Sequence, residues 1–422
     1  MRKKIDVDQL VPGMYVEELD RPWLETPFPL QGLLIRSTEE IDQLRRYCRH
    51  VYINTGRGVE LASGTTRPPR KPVSSAPPPA PSAPVDDTPL AVPPNFATAL
   101  REAVAIREDT RQLIRRMHED IRLGRSIDTV GAKQLVGNMV DSITRSPDAL
   151  IWMTHLKQRD AYTAIHSMNV CVLSLAFGHH LGLSREQLKE LGLGALLHDI
   201  GKIRVPLEIL NKPGRLSDQE MAVMQEHPSL GVKILDHSQQ LSRDALAVVQ
   251  SHHERVNGSG YPHRLPGGEL HFYPKLVSIV DVYDAITSDR VYRAGMAPPE
   301  AMKLMYGWRG RDFEADLLER FVQCVGIYPS GSVVELATGE VGIVIPTDRR
   351  QRFKPIVMLV LDAHKRRYFP MRVLDYKLFV DRDSQTEIRR VLPPGSYGID
   401  PAEIVTGAQS PPAGKVVGGS GG

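Results

Sequence analysis

Histidine is concentrated in one stretch of the chain. Eleven of the fourteen histidines lie between His155 and His271. Imidazole is the commonest metal ligand among side chains, so this concentration indicates metal binding. Five places along the chain offer histidine or carboxylate side chains that could bind metal. They are His166, the run His198-Asp199-Ile200-Gly201-Lys202, His227, the run His252-His253-Glu254 followed by Gly260-Tyr261-Pro262, and Asp281 with Asp284.

An aspartate among histidines can serve two metal ions, because a carboxylate has two oxygens. Mixed imidazole and carboxylate ligands suit iron, manganese, zinc or nickel and exclude a pure calcium or magnesium site. Two such ions about 3.5–4 Å apart hold a hydroxide and polarise a phosphoryl oxygen, the arrangement used to hydrolyse phosphoesters. The adjacent residues His198 and Asp199 can face one centre only where a helix ends, and Gly201 is the predicted stop.

Composition limits the alternatives. The 422 residues carry 53 Lys and Arg against 50 Asp and Glu, so a surface for duplex nucleic acid is not expected. Three widely spaced cysteines, Cys48, Cys171 and Cys324, exclude a disulfide scaffold and fit a reducing cytoplasm. The charged first residues predict no signal peptide, and the longest uncharged stretch contains histidines, so no membrane span is expected.

The chain is predicted to be multidomain and mainly α. A stretch with eleven prolines in 28 residues cannot build a core and predicts an extended linker. Serine with Glu or Gln three positions later, at Ser37, Ser184 and Ser217, predicts capping boxes at helix starts. The expected segments are a small α+β module at 1–66, the linker at 67–94, a helical connector at 95–148, an all-helical domain at 149–327, a small β subdomain at 328–395 and a flexible tail at 396–422.

Over about 150–327 the sequence resembles the HD-GYP domain, a branch of the HD-type phosphohydrolases. The motifs that carry the resemblance are, in order along the chain, HDIGK, HHE-x-x-x-G-x-G-Y-P, and D-x-Y-D-A with S-D-R-x-Y-R. The first 65 residues resemble a small domain of unknown function that often precedes the HD-GYP domain. The resemblance implies a metal-dependent phosphodiesterase that hydrolyses the bacterial second messenger cyclic di-GMP to linear pGpG and/or GMP, through a hydroxide bridging two metal ions.

The resemblance also implies roles for individual residues. One metal would be held by His166, His198, Asp199 and Asp281, and the other by Asp199, His227, His252 and His253. Lys202 would act with Asp199 in catalysis by contacting a phosphate oxygen or the bridging water. The substrate would be bound by Arg290, Arg293, Gly260, Tyr261 and Pro262.

Two departures from the family pattern affect these expectations. Some members hold a third metal with a glutamate four residues before the first histidine, where this chain has Tyr162. A neutral phenol is a poor ligand, so two divalent ions are predicted, with iron or manganese favoured and nickel or zinc possible. The loop carries Asn257 where many members have aspartate, which changes loop contacts and no assigned ligand.

The sequence leaves several alternatives open. The alternative to an enzyme is a catalytically weak signalling or scaffold protein that binds cyclic di-GMP, and a third reading is a phosphohydrolase for another nucleotide. Asp284 either orients a ligand histidine or caps another group, and the same two roles are open for Glu254. Protein partners at the N-terminal module or the linker and a homodimer are further possibilities.

Overall fold

The computed structural model describes residues 2–20, 33–35, 37–56, 94–155, 162–236, 241–289, 295–346, 355–375, 387–393 and 395–406. The chain divides into two compact units, Met1–Thr88 and Pro89–Gly422. The predicted linker lies outside the described residues except for Pro94, which begins a helix.

The first unit is a four-stranded antiparallel sheet with one helix, as the sequence predicts. Strands β1 (Arg2–Asp6), β2 (Tyr15–Leu19), β3 (Leu33–Leu34) and β4 (His50–Asn54) have the order β1-β4-β2-β3. Helix α1 (Thr38–Tyr47) buries Leu44, and the strands bury Val16 and Val51. Ser37 occupies the N-cap position of α1 without a side-chain capping bond, so the capping box predicted there is wrong.

The second unit is mainly helical. Its helices are α2 (Pro94–Arg122), α3 (Thr129–Arg145), α4 (Pro147–His155), α5 (Tyr162–His180), α6 (Arg185–Leu197), α7 (Leu207–Leu210), α8 (Asp218–Met224), α9 (His227–Asp236), α10 (Arg243–Ser251), α11 (Phe272–Thr287), α12 (Pro298–Tyr306), α13 (Ala315–Val325) and α14 (Pro401–Thr406). A 3₁₀ helix, Ile200–Arg204, follows α6 and is called the 200–204 turn below. The capping boxes predicted at Ser184 and Ser217 are confirmed.

Helix α5 lies at the centre of this unit. It packs against α2, α3, α4, α6, α11 and α13. Every residue from 166 to 178 is buried, which fits a helix that is apolar on nearly all sides. The few polar side chains in that run include His166 and Asn169, and a buried polar group needs a partner. These positions therefore mark where the core contains chemistry.

The segment predicted as a connector packs into the same core. Helix α2 lies against α4 and α5, and α3 lies against α6. Phe96 of α2 meets Trp152 of α4 edge to face, with ring centroids 5.4 Å apart. The boundary proposed at residue 148 stays a prediction, but the described contacts join 94–145 to the helices that follow.

The C-terminal part contains a five-stranded antiparallel sheet, which confirms the predicted β subdomain. Its strands are β5 (Val333–Leu336), β6 (Val341–Ile345), β7 (Ile356–Leu361), β8 (Arg367–Asp375) and β9 (Ile388–Leu392), in the order β8-β7-β6-β5-β9. Residues 396–406 were predicted to be flexible, yet they include α14, which packs against α2. In the described part of the chain no helix is long and apolar enough to cross a membrane.

Candidate metal centre

The seven side chains predicted as metal ligands converge in one buried place. They come from the N-terminal parts of α5 and α9, the residues that directly follow the last residues of α6 and α10, and the middle of α11. Six of the seven residues are at most 6% exposed, and the seventh, His253, has 17% of its side chain exposed. The group, called the metal centre below, consists of His166, His198, Asp199, His227, His252, His253 and Asp281.

Asp199 separates four histidines into two pairs. Its Oδ2 lies 3.6 Å from Nε2 of His166 and 3.4 Å from Nε2 of His198. Its Oδ1 lies 3.4 Å from Nε2 of His227 and 3.7 Å from Nε2 of His252. Each carboxylate oxygen therefore faces its own pair of imidazole nitrogens, as a carboxylate placed between two cations would.

Asp281 joins the side of the centre that holds His166 and His198. Its Oδ1 is 3.1 Å from Nε2 of His166 and 3.9 Å from Nε2 of His198. Its Oδ2 is 3.8 Å from Nδ1 of His253. Ligand atoms within 4.8 Å of one another form two potential metal-binding groups, His166, His198 and Asp199 on one side and Asp199, His227, His252 and His253 on the other.

Helix ends fix the ring orientation of three histidines. The Nδ1 atoms of His198, His227 and His252 lie 2.7, 2.8 and 3.1 Å from the carbonyl oxygen three residues earlier. A ring that donates Nδ1–H to a carbonyl keeps its lone pair on Nε2. All three Nε2 atoms face Asp199, so the tautomer that this geometry favours is the one that can bind a metal.

Asp284 orients the fourth histidine, which resolves the alternative left open by the sequence. Its Oδ2 lies 2.7 Å from Nδ1 of His166, and its Oδ1 accepts a hydrogen bond from Nδ2 of Asn169 at 2.9 Å. The hydroxyl of Ser288 donates to the same oxygen at 3.3 Å. Sequence reasoning missed Asn169, although its position three residues after His166 puts both on one helix face.

Replacing Asp284 with asparagine is expected to weaken metal binding on the His166 side by about 10- to 100-fold, the usual loss when such a support is removed. The amide keeps the size of the side chain but can present its NH₂ to Nδ1, which favours the wrong His166 tautomer. Titration with Mn²⁺ checks this. Ser288→Ala removes only the longer hydrogen bond and is the control. Equal affinities in the two variants would contradict the assigned role.

Charge in the centre suits cation binding. Burial raises the pKa of Asp199, but its electrostatic interactions with Lys202 and the surrounding histidines outweigh burial and leave that pKa well below its usual range. The ammonium of Lys202 is 2.6 Å from Oδ2 of Asp199. Burial lowers the pKa of His252 to about 4, and burial with the neighbouring His252 lowers that of His253 well below its usual value. At neutral pH the carboxylate is therefore ionised and these two imidazoles are neutral.

Two buried atoms of the centre lack a hydrogen-bond partner, which is consistent with metal binding. Nε2 of His198 and Oδ1 of Asp199 are fully buried and make no hydrogen bond in the described structure. A buried polar atom without a partner costs about 1–3 kcal/mol, so such atoms are rare unless a ligand completes them. Both point into a set of nitrogen and oxygen donors of the kind that transition metals prefer. The residues present therefore fit divalent metal ions.

Gly201 was predicted to end the helix that carries His198. In the structure it instead allows the two halves of the centre to approach each other. Helix α6 ends at Leu197, and Gly201 lies beyond it in the 200–204 turn. A Cβ on Gly201 would lie 1.9 Å from the carbonyl oxygen of His227 and 2.5 Å from the amide nitrogen of Gly231. Glycine is needed because the turn packs directly on the backbone of α9. That contact brings Asp199 and His227 together.

Glu254 anchors the loop that follows the histidine pair. Its carboxylate is 2% exposed and accepts backbone N–H bonds from His263 at 2.7 Å, Arg264 at 3.0 Å and Leu265 at 3.1 Å. A single acid thus satisfies three consecutive amides. The sequence left the role of Glu254 open because the partners lie nine to eleven residues away.

The Gly-Tyr-Pro loop lies beside the metal centre. The ring of Tyr261 stacks on the ring of His253 with centroids 4.6 Å apart. A Cβ on Gly260 would lie 2.4 Å from Cα of Glu254, so the loop folds back tightly on the segment that carries the ligands. The Tyr261–Pro262 peptide is cis. The remaining predicted substrate residues, Arg290 and Arg293, lie outside the described residues, as does the side chain of Tyr162.

This fold and this centre define an HD-domain protein. The family model described as HD domain matches residues 147–317, and a second, described as a domain of unknown function (DUF3391), matches residues 2–132. HD-domain phosphohydrolases are metal-dependent.

Similar curated proteins narrow the class. The chain is 35% identical to cyclic di-GMP phosphodiesterase PA4108 of Pseudomonas aeruginosa over 96% of this chain and 93% of that protein. It is 36% identical to the cyclic di-GMP phosphodiesterase response regulator RpfG of Xanthomonas campestris, over 38% of this chain and 42% of that protein. It is 31% identical to 3′3′-cGAMP-specific phosphodiesterase 2 of Vibrio cholerae, over 46% of this chain and 34% of that protein. The chain belongs to the HD-GYP family of cyclic di-GMP phosphodiesterases.

Proposed function

We propose that the chain is a metal-dependent phosphodiesterase that hydrolyses cyclic di-GMP to linear pGpG and/or GMP. The observation that carries the proposal is the position of Asp199, whose two carboxylate oxygens each face a separate pair of histidine nitrogens. The similarity to PA4108 over nearly the whole of both chains supports the choice of substrate.

The centre has ligands for two ions. His166, His198, Asp199 and Asp281 would hold one, and Asp199, His227, His252 and His253 the other. When bound, two such ions supply a hydroxide nucleophile and withdraw charge from phosphoryl oxygens. Iron or manganese suits this donor set best, with nickel or zinc possible.

Lys202 is the proposed catalytic cation. Its ammonium is partly exposed and lies 2.6 Å from Asp199, so it reaches from the buried centre toward solvent. A fixed positive charge there would stabilise the negative charge that develops on the phosphoryl oxygens of the transition state. The 260–262 loop, next to His253, would border the substrate, and Arg290 with Arg293 would bind its phosphates or guanines.

Turnover tests the proposal. Metal-free full-length protein is loaded with Mn²⁺ or anaerobically with Fe²⁺, incubated with cyclic di-GMP and analysed by chromatography. Linear product in stoichiometric excess over enzyme is expected, and chelation should abolish it. A parallel incubation with 3′3′-cGAMP tests the substrate named for the Vibrio cholerae relative. Binding of cyclic di-GMP without product would favour the alternative, a catalytically weak signalling or scaffold protein.

Glu254→Gln is expected to raise the KM for cyclic di-GMP by about tenfold and to leave the metal content unchanged. The amide group cannot accept all three N–H bonds that the carboxylate accepts, and each charge-assisted bond contributes about 1.5–3 kcal/mol. The loop would then lose its fixed position beside the site. Steady-state kinetics with elemental analysis checks this, with exposed Glu269→Gln as control. Loss of metal with an unchanged KM would show that Glu254 supports the centre instead.

The cellular location, the protein partners and the oligomeric state are separate proposals. The three cysteines are buried thiols, which fits the proposed cytoplasmic location. The N-terminal module and the proline-rich linker are the proposed contact points for protein partners, and a homodimer is a further proposal that gel filtration with light scattering would test.

A further inference from the structure

A second cleft lies apart from the metal centre. It has a volume of about 400 Å³ and opens between the α2–α3 connection and the pair formed by the 200–204 turn and α9. Its floor is aliphatic and includes Ile121, Ile127 and Leu230. Its rim carries three exposed cations, Arg125, Arg204 and Lys233. This volume falls within the range typical of small-molecule sites.

The charge of the cleft is unbalanced. None of the lining residues is acidic. Arg125 lies 3.7 Å from the carboxylate of Asp120, whereas Arg204 and Lys233 form no ion pair with any described residue. Cations around a concave apolar floor raise the local positive potential, because the low-dielectric walls focus the field. The cleft therefore favours an anion that also carries an apolar body.

We propose that this cleft binds a small phosphate monoester with a flat or aliphatic body, such as a nucleoside monophosphate. A phosphate dianion can contact three cations at once, and arginine guanidinium groups bind phosphate oxygens in bidentate fashion. The body of the ligand would cover the aliphatic floor. Inorganic phosphate offers the same charge without that body and should bind more weakly.

The position of the cleft makes it a regulatory site for the metal centre. The 200–204 turn starts directly after Asp199 and ends at Arg204. Helix α9 starts at His227 and carries Lys233 further along. A ligand that joins Arg204 to Lys233 would hold together the same two elements that bring Asp199 and His227 into the centre. Ligand and metal should therefore strengthen each other's binding, since such coupling is reciprocal.

Binding is tested by calorimetry on the full-length, chelator-treated protein, with GMP as the probe. We expect one GMP per chain, binding at least about tenfold tighter than inorganic phosphate, and a loss of at least about tenfold in Arg204→Gln. Arg320→Gln removes an exposed cation on α13, away from the cleft, and should bind GMP normally. No GMP binding, or equal binding by the two variants, would overturn the proposed site.

The regulatory part rests on the proposed metal centre and is tested separately. The affinity for Mn²⁺ is measured with and without saturating GMP. We expect GMP to raise this affinity in the wild type and in Arg320→Gln but not in Arg204→Gln. GMP binding without any effect on Mn²⁺ affinity would overturn the regulatory coupling. Turnover of cyclic di-GMP by the wild type without GMP reports on the proposed function independently of these results.

Discussion

Replacing Asp199 with alanine is expected to remove both metal ions together and to lower turnover of cyclic di-GMP by about a hundred- to a thousandfold, the scale seen when one group that stabilises the charge of the transition state is lost. The reason is geometric, because each oxygen of this one carboxylate faces a different histidine pair. Elemental analysis and product chromatography on the same preparation check the two effects.

Asp141→Ala is the matched control for that variant. It also removes one carboxylate from the helical unit. Asp141 lies at the surface, where its carboxylate is 2.8 Å from the guanidinium group of Arg185. It is far in sequence from every proposed metal ligand. Metal content and turnover should stay at wild-type levels, with circular dichroism confirming that both variants fold. Full metal occupancy in Asp199→Ala would show that Asp199 does not bridge the ions.

Gly201→Ala is expected to lower the free energy of unfolding by about 1–3 kcal/mol, the usual cost of overpacking, and to weaken metal binding on the His227 side. The added methyl group would lie 1.9 Å from the carbonyl oxygen of His227, so the 200–204 turn and α9 must separate. Denaturant unfolding and Mn²⁺ titration measure the two effects.

Gly137→Ala is the control for the same substitution type. Gly137 lies within α3, and nothing lies within 4 Å of the Cβ that alanine would add. Alanine there should raise stability by about 0.5–1 kcal/mol, because glycine is entropically costly inside a helix. If Gly201→Ala resembled Gly137→Ala in stability and in metal affinity, the close contact between the turn and α9 would not be what positions His227.

The convergence of the ligands could be anticipated from the family resemblance together with the metal-binding character of the residues. The run His198-Asp199 and the pair His252-His253 indicated a metal site from the residues alone, but the resemblance to the HD-GYP domain is what placed all seven ligands in one centre. The capping boxes at Ser184 and Ser217 were predictable because both partners lie within one turn. The failed capping box at Ser37 shows that even a local pattern does not guarantee the hydrogen bond.

Other features depend on contacts that a sequence does not display. The role of Asp284 needs His166, 118 residues earlier, and Glu254 acts on amides up to eleven residues away. The requirement for Gly201 arises from the backbone of another helix. The packing of α2 and α3 into the main core likewise depends on which faces meet after folding, so their sequence suggested only a connector.

The most direct test of the two-ion centre is an anomalous difference map from a crystal of the Mn²⁺-loaded full chain, recorded at the manganese edge. We expect two peaks about 3.5–4 Å apart, one against each carboxylate oxygen of Asp199, with His166 and His198 beside the first and His227 and His252 beside the second. A single peak, or two peaks that do not share Asp199, would contradict the account even if the protein were active.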